Sequence, residues 1–285
     1  MYAVILAAGS GVRLRPLGAG EEPAAFRQST DGRTRLQRIA ERLQPLIDPM
    51  DVAVVANRRH GQLVREQLPD ARIVSQPMDR GTASALALAI VSLERPPSET
   101  VLVLSADHDV EDDHALRAAI AAADQELGDG ALGVERPIVV FAVPPTSADR
   151  ELTYVQPDRN SGMRVGGVRA YRTERLEARP EATRARQLYE SGTTYWCSGI
   201  YLARRSAFTD AIERYTPLFT LLRPAFQSEL ALGAAYDRLQ PVSIEEGMLV
   251  GAARDGTLLT VPIDVGWHPP AEVERAVLTE RRGPR

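Results

Sequence analysis

The chain has 285 residues, 44% hydrophobic and 25% charged, with a net charge of −4 and a pI near 5.7. That make-up is globular, with ample length for a core in one large domain or two, and it has no basic stripe of the kind that binds nucleic acid. A single cysteine, Cys197, excludes an internal disulfide, and no apolar run reaches the ~20 residues of a membrane span. The N-terminus enters an apolar run without a basic leader, so a cytoplasmic protein with no membrane contact is expected. All 34 basic side chains are arginine, so no chemical step here can use a lysine ammonium.

Residues 2–8 predict a short buried strand that runs into Gly9-Ser10-Gly11, followed by Arg13 and Pro16. Backbone N–H groups at a strand's end, with no side chains in the way, suit a phosphate, and Arg13 is spaced to add a guanidinium fork. A tight turn with no ligand has the same pattern, so the motif needs support from the rest of the chain. Residues 21–26 read as a loop. Residues 34–47 carry Leu36, Ile39, Leu43, Leu46 and Ile47 at helical spacing, and Pro45 predicts an end or kink near Gln44. A strand at 52–56, a helix at 58–68 and a strand at 71–75 follow. The loop from Gln76 leads into an alanine-rich helix at 83–93, with Thr82 as its expected cap. Residues 100–104 predict a strand ending in Ser105-Ala106-Asp107-His108-Asp109; a helix at 115–127 and a strand at 137–143 come next.

This alternation predicts a parallel sheet covered on both faces. Ligands of such sheets sit beyond the carboxyl ends of strands, where Gly9 to Arg13 and Asp107 both fall. Asp107 also reads as a turn or cap residue in an acidic run, and His108 and His114 read as solvated or capping. The second half is less regular. Residues 151–162 are polar, 166–172 predict a strand, and 175–190 are charged and partly helical. Residues 195–202 predict a strand with a small-residue turn, 208–215 and 224–239 helices, and 257–264 a strand. One domain over 1–277 and a disordered tail at 278–285 are expected.

The opening stretch resembles the Gly-x-Gly-x-Arg-Leu-x-Pro-Leu pattern of the sugar-phosphate nucleotidyltransferases. Further segments are similar, in order, to the mannose-1-phosphate guanylyltransferase branch. They are Val54-Val-Ala-Asn57-Arg-Arg-His60 with the helix after it, Gln76-Pro-Met-Asp-Arg80-Gly81-Thr82-Ala83, Leu102-Val-Leu-Ser105-Ala106-Asp107-His108, and Ser191-Gly192 with Trp196-Cys197-Ser198-Gly199-Ile200-Tyr201. The resemblance implies an α/β, Rossmann-like nucleotidyltransferase fold with a mixed, mostly parallel sheet flanked by helices. It implies attack of a sugar 1-phosphate oxygen on the α-phosphorus of GTP, with pyrophosphate leaving and Mg²⁺ as cofactor. It places Leu6, Ala7, Ala8, Gly9, Gly11 and Arg13 on the nucleotide, Gln76, Arg80, Gly81 and Thr82 beside its base and ribose, and Arg179 and Cys197 on the sugar phosphate. Arg13 and Asp107 are the implied catalytic residues, with Asp107 the metal ligand.

The departures from that family pattern fall on the chemistry. The lysine after Pro23 is Ala24, and Glu-Lys-Pro is Ala178-Arg179-Pro180. The asparagine before Ser198 is Cys197, and the Gly-Tyr-Gly-Tyr loop is Glu151-Leu152-Thr153-Tyr154. Ser-Ile-Asp survives as Ser243-Ile244-Glu245, while Gly-Trp-Ser-Asp is Gly266-Trp267-His268-Pro269, so that Asp264 and His268 read either as ordinary loop residues or as replacements for the second metal carboxylate. Two expectations follow. One is a transferase acting on a nucleoside triphosphate and a sugar 1-phosphate. The other is a catalytically degenerate relative that binds a nucleotide or nucleotide sugar, in a homo-oligomer or as partner of an active paralogue.

Overall fold

The computed structural model describes residues 1–8, 23–28, 31–129, 132–165 and 168–269. Gly9, Gly11, Arg13 and the 278–285 tail lie outside them. Strand β1 (Tyr2–Leu6) is apolar and buried along its whole length. Residues 24–26, read as loop, form a 3₁₀ turn. Helix α1 (Arg35–Leu43) starts at a capping box in which Thr34 and Gln37 satisfy each other's backbone N–H groups, and it stops before Pro45 as the sequence predicts. Then come β2 (Val52–Asn57), α2 (Gly61–Gln67), β3 (Arg72–Gln76), α3 (Gly81–Ser92) and β4 (Thr100–Ser105). The two-residue β5 (Asp109–Val110), α4 (Asp113–Asp129) and β6 (Ile138–Val143) complete the first half.

The second half contributes β7 (Thr153–Pro157), β8 (Met163–Val165), β9 (Val168–Ala178), α5 (Ala182–Glu190) and β10 (Tyr195–Arg204). It continues with α6 (Arg205–Tyr215), α7 (Leu218–Ala225), α8 (Glu229–Arg238), a π-helical turn at Glu245–Leu249, α9 (Val250–Arg254), β11 (Leu258–Pro262) and β12 (Trp267–His268). Three expectations change. The polar stretch 151–162 holds a strand, β7. The charged outer residues Arg169, Glu174 and Arg175 conceal the continuation of β9 to Ala178. The helix expected over 224–239 is two helices, because the Ser228 side chain accepts from Ala231 N–H and starts α8 afresh.

The main sheet runs β3-β2-β1-β4-β10-β6-β11-β9-β7, with β8 on β9. Pairing is parallel among β3, β2, β1 and β4 and between β6 and β11; β10 lies antiparallel to β4, β6 and β7. The sheet is thus mixed, with parallel order concentrated in the first half. One face packs on α3, α6, α7, α8 and α9 through residues such as Leu86, Phe208, Leu222, Tyr236 and Ala252. The other packs on α1, α2, α4 and α5 through Ile39, Val64, Ile120 and Leu188. Every residue of α3 from Ala83 to Ile90 is buried. That explains why its sequence shows no polar stripe.

Candidate active site

The carboxyl ends of β1 and β4 are tied together. Ala106 N–H donates to Leu6 O at 3.0 Å, and Ala7 N–H donates to Val55 O at 2.8 Å. Leu6, Ala7 and Ala8 are buried backbone at this edge, where the chain enters Gly9. Asp107 follows Ala106 directly, with its side chain 47% exposed. The structure therefore brings Asp107 beside the end of β1, while Gly9, Gly11 and Arg13 lie outside the described residues. The buried Arg35 at the start of α1 donates to the Asp107 carbonyl at 3.4 Å.

His108 corrects an expectation. It is 2% exposed, neither solvated nor capping, and neither ring nitrogen has a hydrogen-bond partner. Its ring lies 6.0 Å from that of Trp267, and burial pushes its imidazole down to about 4. Trp267 reaches it because β12 pairs with β5, and the Trp267 indole N–H donates to Ser198 O at 3.1 Å. Trp196 and Tyr154 extend this aromatic group on the same side, with ring centroids 6.3 and 6.4 Å apart along the chain of contacts.

The loop after β3 holds the other residues expected on the nucleotide. Gln76 ends β3, is fully buried, and among the described residues its amide oxygen and nitrogen both lack a partner. An unpaired buried amide costs about 1–3 kcal/mol, so such a group is suited to a ligand edge that presents both a donor and an acceptor. Arg80 is already engaged: its Nε donates to Tyr236 O at 2.8 Å near the end of α8. Gly81 has φ +82° and its N–H donates to Asp79 Oδ1 at 2.9 Å; a Cβ there would collide with the Val242 backbone. Thr82 does not cap α3. Its Oγ1 accepts instead from Ile244 N–H at 2.9 Å. The loop is thereby fastened to 242–244, which also receives Ala83 N–H on Val242 O at 3.2 Å.

On the sugar-side strand, Cys197 is buried and sits 3.4 Å from Tyr201 Oη. Both lie near Glu245: Tyr201 O–H donates to Glu245 Oε1 at 2.7 Å, and Cys197 Sγ is 3.9 Å from the same oxygen. Burial, then the Glu245 charge, pushes the Cys197 thiol up to about 12; burial raises Tyr201 as well, so both stay protonated donors. Tyr201 and Glu245, quoted within the motifs above, are not among the residues assigned there to the site. The available signal was the Ser198-Gly199 insertion, which lets residues four apart on β10 face the same partner. Arg179, just past the end of β9, is exposed, has φ +45° and makes no hydrogen bond or ion pair among the described residues.

For a divalent metal, Asp107 offers an accessible hard oxygen at a strand end. Asp264 is exposed after β11, and His268 Nε2 is 2.8 Å from Glu111 Oε1. Among the described residues, no three His, Cys, Asp or Glu side chains gather as a metal cage. This donor set fits a Mg²⁺-type ion held mainly by phosphate oxygens and water, with one carboxylate from the protein. No helix among the described residues is long and apolar enough to cross a membrane.

The sequence model of the family described as Nucleotidyl transferase matches residues 2–235. The alginate biosynthesis protein AlgA of Pseudomonas fluorescens is 34% identical over 224 residues, 76% of this chain and 44% of that protein. The mannose-1-phosphate guanylyltransferase of Escherichia coli is 28% identical over 285 residues, 94% of this chain and 57% of its own length. The chain thus spans about half the length of the curated relatives it matches. Among solved structures, a Thermus thermophilus protein described as mannose-1-phosphate geranyltransferase superposes with a TM-score of 0.77 at 26% identity, covering 94% of this chain and 75% of that one.

Proposed function

The chain belongs to the nucleotidyl transferase family, and from that footing we propose that it is a mannose-1-phosphate guanylyltransferase-like enzyme, converting GTP and a sugar 1-phosphate to a GDP-sugar and pyrophosphate. A phosphate oxygen of the sugar 1-phosphate attacks the α-phosphorus of GTP. The bond to the β-phosphate bridging oxygen breaks, and pyrophosphate takes up the electron pair. Such a step needs little covalent help from protein. It needs alignment and charge neutralisation around the phosphates.

The observation that carries the reading is the fully buried amide of Gln76 at the end of β3, unpaired among the described residues and in the same row of strand ends as Leu6 and Asp107. A base edge would satisfy both of its atoms. Gly9, Gly11 and Arg13 are assigned to the triphosphate, and Thr82 and Gly81 to the loop that frames the base. Arg80 is assigned there too, through its backbone, since its guanidinium is held by α8. Arg179 is assigned to the sugar phosphate, for which a guanidinium is well shaped. Family members generally use a divalent metal. Our finer assignment is Mg²⁺ with Asp107 as its protein ligand, where it would neutralise phosphate charge. A cytoplasmic location accompanies this reading, because nucleoside triphosphates are cytoplasmic metabolites. A catalytically degenerate relative finds no support among the proteins this chain resembles.

The test is direct. Incubation with GTP, mannose 1-phosphate and Mg²⁺ should release pyrophosphate in a manner that depends on both substrates. Release no greater than that of an Arg13→Ala control would overturn the assignment.

A further inference from the structure

Arg35, Arg38 and Arg42 share one face of α1, at helical spacing, and all three run along the segment that follows β4. Arg42 reaches Asp109, Val110 O and Asp113. Arg38 lies 3.0 Å from Asp31 Oδ1 and 3.8 Å from Asp109 Oδ2. Those two guanidiniums meet carboxylates, which neutralise them in place. Arg35, in the first turn of α1, reaches instead towards the strand ends. It is 6% exposed, and its Nη1 donates to Asp107 O at 3.4 Å. Ala106, the residue before, donates its N–H to Leu6 O at 3.0 Å, so Asp107 stands beside the point where β1 passes into Gly9. In the reading given above, Gly9, Gly11 and Arg13 hold the triphosphate and Asp107 faces it. The Arg35 guanidinium then lies behind the phosphates, about one residue's length from the Asp107 carboxylate.

The same helix start lies beside the turn from which the family pattern's cation is missing. Ala25 and Phe26 of the 3₁₀ turn share a core with Leu36 and Ile39, and Gln28 bridges to Thr34, the cap of α1. The family lysine would stand in that turn, at Ala24. Here the positive charge is absent from the turn and present on the helix packed against it. A guanidinium this deep is costly to desolvate. It is too enclosed to grip a phosphate as a surface arginine would, but its field passes through protein rather than water and is screened less. Arginine suits such a place, because its charge persists on burial where a lysine ammonium readily loses its proton. A charge already fixed in position needs no reorganisation when an anion arrives.

We propose that Arg35 is a further residue of the triphosphate subsite: it holds a fixed positive charge behind the bound phosphates and strengthens binding in step with the charge of the phosphate chain. This rests on the nucleoside triphosphate reading given above. Arg35 is a positioning residue, not a catalytic one, since it touches Asp107 rather than the reacting atoms. A purely structural Arg35, one that only ties α1 to the end of β4, would affect every ligand of the crevice alike. A charge behind the phosphates discriminates among ligands by their own charge.

The experiment is calorimetric titration of the full chain with GMP, GDP and GTP, in EDTA so that no metal contributes. Wild type, Arg35→Leu, Arg35→Gln and Arg35→Lys are compared, with melting temperature as the check on folding. Each added phosphate adds negative charge, so the loss should climb along the series. Arg35→Leu is expected to weaken GTP at least about tenfold, GDP by less, and GMP by no more than about threefold. Arg35→Lys, which keeps the charge, should stay within about threefold of wild type for GTP. An equal loss for all three nucleotides overturns the proposal and leaves Arg35 a structural tie. So does no loss at all, or a lysine variant as weak as the leucine variant. If Arg35→Leu does not fold, Arg35→Gln against Arg35→Lys decides by the same comparison. If EDTA abolishes binding to wild type, the same series in Mg²⁺ decides. A climbing loss seen with UMP, UDP and UTP but with no guanine nucleotide supports the proposal and overturns the choice of base. A wild type that binds none of these nucleotides in either buffer overturns the nucleotide reading and the proposal together.

Discussion

Thr82 Oγ1 accepts the backbone N–H of Ile244 at 2.9 Å, joining the loop after β3 to the segment that carries Glu245. The bond makes the loop after β3 and the start of the π-helical turn one mechanical unit. Thr82→Val keeps the shape but removes the acceptor. The part-buried N–H is then unpaired, at a cost of about 1–3 kcal/mol. Urea denaturation should show that loss, and Thr82→Ser should restore most of it. A stability for Thr82→Val equal to wild type would mean that water replaces the hydroxyl.

Gly81→Ala separates backbone strain from collision. Gly81 and Gly32 have nearly the same φ, +82° and +79°. A Cβ at Gly32 meets nothing within 4 Å, whereas one at Gly81 runs into the Val242 backbone. Gly32→Ala should cost about 1 kcal/mol from the left-handed conformation alone. Gly81→Ala should cost more by about 1–3 kcal/mol, because backbone rather than a side-chain tip must move. Thermal unfolding of the two variants side by side measures the difference.

What was legible in the sequence followed from local pattern. The continuous apolar runs of β1, β2 and β4 announced buried parallel strands, Pro45 announced the end of α1, and Ser198-Gly199 announced the irregularity in β10. What was not legible depends on distant partners. A threonine before an alanine-rich helix looks like a cap whether its hydroxyl serves that helix or Ile244. His108 looks solvated until β12 folds back and lays Trp267 over it. The strand β7 is hidden because its five residues, Thr153–Pro157, are buried on both faces and show no period-two alternation. Of the candidate site, the structure brings Asp107 to the end of β1 and leaves Gln76 buried and unpaired. It also shows Arg80 and Gly81 in structural contacts that spacing alone does not reveal.

Arg42 is the most deeply buried guanidinium in an ion-pair network. It reaches Asp109 Oδ1 and Val110 O at 3.0 Å each, and also Asp113. Its partners are less buried, at 29% exposure for Asp109 and 44% for Asp113. Removing one member of a sealed pair costs about 3–5 kcal/mol because the other charge is stranded. Here water reaches both carboxylates, so Arg42→Leu should cost less, about 1–3 kcal/mol. Arg42→Lys should recover only part of that, since an ammonium cannot make the same planar fork. Denaturant midpoints at one ionic strength test the order wild type, lysine variant, leucine variant.

Cys197 gives a pH dependence with a definite sign. Burial raises its thiol to about 12 in the folded chain, above the usual cysteine range. The unfolded chain therefore loses this proton first as pH rises. The contribution to stability is complete below the unfolded value near 8.5 and declines as pH rises towards about 12. Tyr201 is shifted in the same direction and adds to the loss at the alkaline end. The melting temperature should fall above about pH 9, less steeply in Cys197→Ala. At pH 8 the native thiol should resist iodoacetamide and react only after unfolding. Prompt native-state alkylation would show that the cluster opens.

Ala24 and Pro269, two of the positions at which a charged group of the family pattern is absent, should respond differently to restoration. Ala24 lies in the 3₁₀ turn after Pro23, where Phe26 N–H closes onto Pro23 O at 3.0 Å. A lysine there would restore the cation that the family resemblance places on the phosphates, beside the guanidiniums assigned to them. Such a group is worth about 10²-fold in rate. Pro269 is buried and follows His268, which Glu111 holds. An aspartate at that position must desolvate its carboxylate, a cost of several kcal/mol unless it finds a partner. Ala24→Lys should therefore raise pyrophosphate release about 100-fold with little change in melting temperature. Pro269→Asp should lower the melting temperature, and the double variant should turn over no faster than Ala24→Lys alone. A double variant that outpaces the single one would mean that residue 269 reaches the phosphates, and that Asp107 does not hold the metal unaided.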